Sequence, residues 1–210
     1  MRLHARLGRA VVAALLLLAL APGAPAAAER VIVAFGDSLT AGQGVAAEQA
    51  YPALLADRLR AEGFAYRVVN AGVSGDTTAG GLRRVDWALR LKPEIAIVEL
   101  GANDALRGQD LAGVRQNLDA IVTRFQSAGA RVLVAGMRLP PNYGRRYDAE
   151  FQRLFEDVAR RRRAALIPFF LDGVAGDPRL NQLDGIHPTA EGYRLVVDRL
   201  WPYLHPLLKK

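Results

Sequence analysis

Along the chain, short apolar runs alternate with segments whose apolar positions recur every three to four residues. The runs are Val31–Phe35, Tyr66–Val69, Ile95–Leu100, Arg131–Ala135 and Ala165–Phe169. Each is strand-length and rich in β-branched or aromatic residues, which suits extended backbone in a covered sheet. Between them, Tyr51, Leu55 and Leu59 share a helical face, with Pro52 near the start and Gly63 as the stop. Leu111, Val114, Leu118, Ile121, Val122 and Phe125 form the clearest stripe, closed by Gly129. Tyr147, Phe151, Leu154, Phe155 and Val158 form another. Tyr193, Val196, Val197 and Leu200 form the last, behind a Thr189 cap. A fainter helical pattern covers Thr78 to Leu91.

Strands separated by helices need crossover connections, which implies an α/β fold with a parallel sheet covered on both faces. No repeat, low-complexity tract or linker interrupts residues 29–210, so that span reads as one domain. The first 28 residues differ. Arg2, Arg6 and Arg9 precede the apolar run Ala10–Ala21, and A-x-A-like sites follow at Ala24-Pro25-Ala26 and Ala26-Ala27-Ala28. That is the layout of a cleaved secretory signal. A spanning helix needs about 20 apolar residues, and this run is shorter. Cleavage after Ala26 or Ala28 is therefore expected, leaving a periplasmic or secreted bacterial protein with no stable membrane anchor.

Composition then narrows the chemistry. Cysteine is absent, which excludes disulfides, a thiol nucleophile and thiolate metal sites. The three arginines lost with the signal take the net charge from +7 to +4. The densest basic run, Arg160–Arg163, reads as a solvated helix end whose cations oppose the C-terminal dipole. No aromatics interleave with it for stacking, and no nucleic-acid partner is expected. Histidine is limited to His4, His187 and His205, and serine to Ser38, Ser74 and Ser127. Any serine–histidine mechanism must draw on those six.

Loops after parallel strands share one sheet edge, where ligands of doubly wound folds bind. Gly36-Asp37-Ser38-Leu39 follows the first strand, Asn70-Ala71-Gly72 the second, and Gly101-Ala102-Asn103-Asp104 the third. Asp184-Gly185-Ile186-His187-Pro188 precedes the last helix. An Asp three residues before a His can bend back to accept its Nδ1 proton, leaving Nε2 as a base. A serine hydroxyl is a weak nucleophile until such a base takes its proton. The backbone amides of Ser38 and Gly72 and the side-chain amide of Asn103 are candidate donors to a developing oxyanion. Asp104 is expected to brace that loop. Each piece alone is an ordinary turn or cap; the four together, at strand ends, point to acyl transfer.

Taken together, these blocks resemble the SGNH (GDSL) hydrolases, through Ser38, Gly72, Asn103 and His187. The likeness runs from about Val31 to the last helix and is nearest to the bacterial periplasmic thioesterase, lysophospholipase and arylesterase branch. It implies a flavodoxin-like three-layer α/β/α sandwich with strand order 2-1-3-4-5. It also implies Ser38 as nucleophile, Asp184 and His187 as its partners, and Gly72 and Asn103 as oxyanion donors. Arg138 to Tyr147 looks like that branch's substrate-side loop. Ala102 departs from the branch, where a second glycine is common, and leaves the loop's shape open. Leu106, Leu139, Pro140, Pro141 and Tyr143 suggest an apolar acyl groove. Arg138, Arg145 and Arg146 are candidates for a phosphate on the head or leaving group, or for plain loop solubility.

The expected activity is hydrolysis of medium and long acyl esters and thioesters through an acyl-enzyme, by a monomer acting on small molecules. No cofactor or metal is expected. An arylesterase or carbohydrate deacetylase for short acyl groups is the alternative, and an inactive exported binding module a remoter one. A dinucleotide site at Gly42-Gln43-Gly44-Val45-Ala46-Ala47 starts too late after the first strand. Gly72 to Asp76 misses the G-x-S-x-G pattern, because Asp76 replaces its last glycine.

Overall fold

A computed structural model describes residues 29–210, and the signal-like segment 1–28 lies outside the described residues. The centre of the molecule is β1 (Arg30–Gly36), whose Ile32, Val33, Ala34 and Phe35 are fully buried. Burying each such Ile or Phe stabilises the fold by roughly 1.5–3 kcal/mol. Parallel pairing joins β1 to β2 (Tyr66–Gly72) on one side and β3 (Ile95–Glu99) on the other. The sheet continues through β4 (Arg131–Ala135) to β5 (Ala165–Ile167), giving the order β2-β1-β3-β4-β5. It is the doubly wound arrangement expected, with helices on both faces.

Two layers of helices cover the sheet. On one face lie α3 (Thr78–Leu89), α5 (Leu111–Ser127) and α6 (Arg145–Arg162), packed in that sequence. On the other, α2 (Tyr51–Ala61) packs against α7 (Ala190–Leu204). The winding reverses at β1, because the chain leaves it first toward β2 and later returns to β3. The loops after β1, β2 and β3 meet at that reversal, where doubly wound sheets bind ligands. Thr189 caps α7, its hydroxyl accepting the Gly192 N–H at 3.2 Å.

Several boundaries differ from the sequence pattern. Two short helices, α1 (Ser38–Ala41) and α4 (Ala102–Leu106), occupy segments read as loops. Strand β2 runs on to Gly72 because its last residues pair with the end of β1, Gly36 opposite Gly72. Strand β5 stops at Ile167, ahead of Pro168, which has no N–H to donate. Gly136 packs into that bend, donating to the Ile167 carbonyl and accepting from Phe170 N–H, both at 2.8 Å. The basic run ends α6: Arg160 pairs with Asp157, Arg162 with Asp119, and Arg163 takes the left-handed cap conformation.

Candidate active site

The nucleophile candidate is presented by the turn from β1 into α1. Thr40 Oγ1 and Glu99 Oε2 crowd Gly36 so closely that a Cβ there would lie 2.0 and 2.6 Å from them. Only glycine fits. Asp37 caps α1, its Oδ1 accepting the Leu39 N–H at 3.1 Å. Ser38 is the first residue of α1 and is buried. Among the described residues, no main-chain hydrogen bond uses its N–H.

The histidine arrives on a hairpin-like loop closed by the Asn181–Pro188 bridge. Gln182 N–H donates to the His187 carbonyl, and Thr189 N–H to the Leu180 carbonyl, both at 2.8 Å. At the tip, Gly185 has a φ of 73°, a left-handed value that glycine adopts without strain. Asp184 Oδ1 then accepts the Ile186 and His187 N–H groups, each at 3.0 Å. Its Oδ2 lies 2.7 Å from His187 Nδ1, and His187 Nε2 lies 2.8 Å from Ser38 Oγ. Ser38, His187 and Asp184 thus form one hydrogen-bonded chain across 149 positions of sequence between serine and histidine. Burial pushes the Asp184 carboxyl up, but hydrogen bonds from the His187 ring and the two amides hold it below its ordinary value. A carboxylate there fixes the tautomer with the proton on Nδ1, leaving Nε2 to accept from serine.

Gly72 ends β2, and Asn103 lies in α4, just beyond the end of β3. A Cβ on Gly72 would fall 2.2 Å from the Ala41 nitrogen, so the absence of a side chain lets α1 pack against β2. The Gly72 N–H donates to Asn70 Oδ1 at 2.9 Å and is already satisfied there. Asn103 Nδ2 donates to Asp37 Oδ2 at 2.9 Å. An amide nitrogen carries two hydrogens, so a second remains for another acceptor. Asp104 is fully buried and receives the Thr78 N–H at 2.9 Å and the Thr78 hydroxyl at 2.6 Å. It braces the loop as expected. Ala102 is accommodated because it opens α4 with ordinary backbone, while Gly101 before it takes the positive φ of 119°.

The substrate-side residues form a second, looser group. Tyr143 hydroxyl donates to the Leu106 carbonyl at 3.1 Å, and Tyr147 hydroxyl to the Gln109 carbonyl at 3.1 Å. The Leu106–Gln109 segment and the Tyr143–Tyr147 segment are therefore tied together. Leu139 is buried, Pro140 and Leu106 half-buried, and Arg145 and Arg146 exposed. Arg138 lies over the Phe169 ring at 5.1 Å. Nearer the serine, Val73, Leu183 and Ile186 are exposed apolar residues adjoining Gly72, Asp184 and His187 in sequence.

Glu99, Thr40 and Arg84 do not stand out in the sequence pattern. Arg84 donates to Asp76 Oδ2 at 2.7 Å and to the Ala71 and Gly36 carbonyls at 2.8 Å each. Its guanidinium also stacks 4.1 Å from the Phe35 ring centre, locking the ends of β1 and β2 to α3. Glu99 sits fully buried at the end of β3, beneath Asp37. A glutamate inside an otherwise apolar strand was the one available signal.

Known proteins show the same frame. Residues 34–195 match the GDSL-like Lipase/Acylhydrolase family. The chain is 45% identical over 183 residues to esterase TesA of Pseudomonas aeruginosa, covering 87% of this chain and 91% of that protein. It is 39% identical over 184 residues to thioesterase 1/protease 1/lysophospholipase L1 of Escherichia coli K12, covering 87% of each. A crystal structure of TesA superposes with a TM-score of 0.83 at 45% identity, covering 85% of this chain and all of that one.

Proposed function

This chain belongs to the GDSL-like lipase/acylhydrolase family, and on that premise we propose that Ser38, His187 and Asp184 carry its esterase and thioesterase chemistry. The observation that supports this most is the unbroken chain from Ser38 Oγ to His187 Nε2 and from His187 Nδ1 to Asp184, at 2.8 and 2.7 Å. Ser38 Oγ attacks the acyl carbonyl while His187 Nε2 takes its proton. The imidazolium so formed is stabilised by the Asp184 carboxylate and returns the proton to the departing alcohol or thiol. Water, deprotonated by the same nitrogen, then cleaves the acyl-enzyme. The charge on the tetrahedral oxygen is met by the Ser38 N–H, the second Asn103 N–H and the Gly72 N–H once Asn70 yields it.

Relatives named esterase, thioesterase and lysophospholipase support medium and long acyl esters and thioesters as substrates. The exposed apolar residues Val73, Leu183 and Ile186 suit an acyl chain entering from solvent. A relative named arylesterase from Vibrio mimicus, 37% identical over 173 residues, keeps a short-acyl reading as the alternative. Residues 1–28 are proposed to direct export to the periplasm, where a monomer of residues 29–210 acts. Among the described residues no helix is long and apolar enough to cross a membrane.

The deciding experiment combines labelling with a substrate series. A fluorophosphonate should modify Ser38 in the wild type and leave Ser38→Ala unmodified and inactive. Ser74→Ala and Ser127→Ala should keep most activity. Hydrolysis of decanoyl and longer p-nitrophenyl esters, acyl-CoAs and lysophospholipids is expected, and activity confined to acetyl esters would select the alternative.

A further inference from the structure

Behind the nucleophile, two buried carboxyl groups meet at the ends of β1 and β3, and this inference rests on the hydrolase reading above. Glu99 is fully buried at the end of β3, and Asp37, at 1% exposure, follows β1. Among the described residues neither joins a salt bridge with a cation. Their acceptor sites can be counted. Asp37 receives the Leu39 N–H on Oδ1 at 3.1 Å and Asn103 Nδ2 on Oδ2 at 2.9 Å. Glu99 Oε2 receives the Thr40 hydroxyl at 2.8 Å and the Asp37 N–H at 3.3 Å. Glu99 Oε1 is buried and has no partner.

Two ionised carboxylates cannot sit together away from water and cations without strong repulsion. An orphaned carboxylate oxygen is costly as well. One proton resolves both problems. On Glu99 it turns the partnerless Oε1 into a donor, and the Asp37 carboxyl, whose side chain and that of Glu99 act on each other through a hydrogen bond, has lone pairs left to accept. We propose that Glu99 is held as a neutral acid sharing its proton with the Asp37 carboxylate, and that this pair positions the Asn103 amide for oxyanion binding.

The electrostatics run the same way. Burial, and then the Asp37 charge, push Glu99 well above the ordinary carboxylic range. Burial raises Asp37 to about 6 against lowering hydrogen bonds from Leu39, Glu99 and Asn103. The other groups around the pair offer no counter-charge to Glu99. Tyr51 and Tyr193 are neutral phenols pushed further up by burial. Arg84, from α3, is committed to Asp76 and to the Ala71 and Gly36 carbonyls. His187 lies on the Ser38 side, where its positive form favours the Asp37 carboxylate. With Glu99 protonated, the pair bears one negative charge instead of two beside a site where another must develop. Asp37 meanwhile holds one Asn103 hydrogen and leaves the second free to donate.

The test is a variant series on one ester substrate. Glu99→Ala should lower kcat about 10–100-fold with KM nearly unchanged, less than the full loss of an oxyanion donor. Glu99→Gln, whose amide can donate to Asp37 and accept from Thr40, should recover most of that loss. In an Asn103→Ala background, Glu99→Ala should cost less than about threefold more, because it acts through a group already removed. Infrared spectra at neutral pH should show a protonated carboxyl band that Glu99→Gln abolishes. The proposal is overturned if Glu99→Gln is as impaired as Glu99→Ala, if the two losses multiply, or if the band is missing. Should Glu99→Ala fail to fold, Glu99→Gln and the infrared band decide alone. A wild type with no turnover and no Ser38 labelling would instead sink the hydrolase reading, while the infrared band would still report the shared proton.

Discussion

Asn103 has two N–H bonds to give, and the hydrogen bond to Asp37 at 2.9 Å takes one of them. If the other meets the oxyanion, truncating the side chain removes a donor only the transition state uses fully. Asn103→Ala should then lower kcat by about 10²–10³ with little change in KM. Steady-state kinetics on a p-nitrophenyl ester would check this, and near-full turnover would remove Asn103 from the mechanism. Glu99 makes a thermodynamic prediction of its own. The unfolded chain releases this proton around the ordinary value of 4.5, whereas the folded protein keeps it to well above that. The folded state therefore binds more protons, and stability falls as pH rises above about 4.5, by up to about tenfold in the folding equilibrium per pH unit. Glu99→Gln escapes that loss, so its thermal midpoint relative to wild type should climb between about pH 5 and about pH 8. A flat difference would show that Glu99 is ionised in the folded protein. At this scale, Ser38 and His187 were legible because so few serines and histidines exist to choose from. Thr40 was not, and Glu99 showed only as a glutamate in an apolar run, because what the two touch around Gly36 is created by three-dimensional packing.

Helix α1 has four residues and α4 has five, too few to show a 3.6-residue repeat, so both read as loops from the pattern. They nevertheless present Ser38 and Asn103. What holds them is capping and burial rather than an amphipathic stripe. Asp37 caps α1, and α4 is pinned to the start of α3 by Asp104, which accepts from the Thr78 N–H and hydroxyl. Asn117 Nδ2 in turn donates to Thr78 Oγ1 at 3.2 Å, extending the tie to α5. Asp104→Ala strands two buried donors and should destabilise the protein by about 1–3 kcal/mol. Urea unfolding would measure it, and a loss below about 0.5 kcal/mol would mean that water replaces the carboxylate. The long helices and the strand cores were legible because burial on a regular face writes its period into the sequence. The strand ends shifted where another strand or a proline decided them, as at Gly72 and Pro168.

For the whole molecule, the pattern of runs implied a parallel sheet, but the order 2-1-3-4-5 came from likeness to a family, since crossover helices of similar length permit several orders. That order brings Ser38, Gly72 and Asn103 to adjacent strand ends, and α7 then fixes where the His187 loop can return. The start of β1 and the end of the chain are tied to each other. Arg30 Nη2 donates to the Lys210 main-chain oxygen at 2.9 Å, and Lys209 N–H donates to the Tyr66 hydroxyl at 3.1 Å. Glu94 anchors the cluster, pairing with Arg131 and Arg30 and lying 3.8 Å from Lys209 Nζ. This end of the sheet is opposite the catalytic edge. If residues 1–28 are the removable export signal proposed above, a chain starting at Glu29 should match the full chain in turnover and thermal midpoint. Removing Lys209 and Lys210 as well deletes exposed partners worth about 1 kcal/mol or less. In a domain of this size that lowers the midpoint by up to about 4 °C, with kcat and KM unchanged. Lost turnover in the shorter chain, with the midpoint intact, would mean that the tail communicates with the site rather than closing the far edge of the sheet.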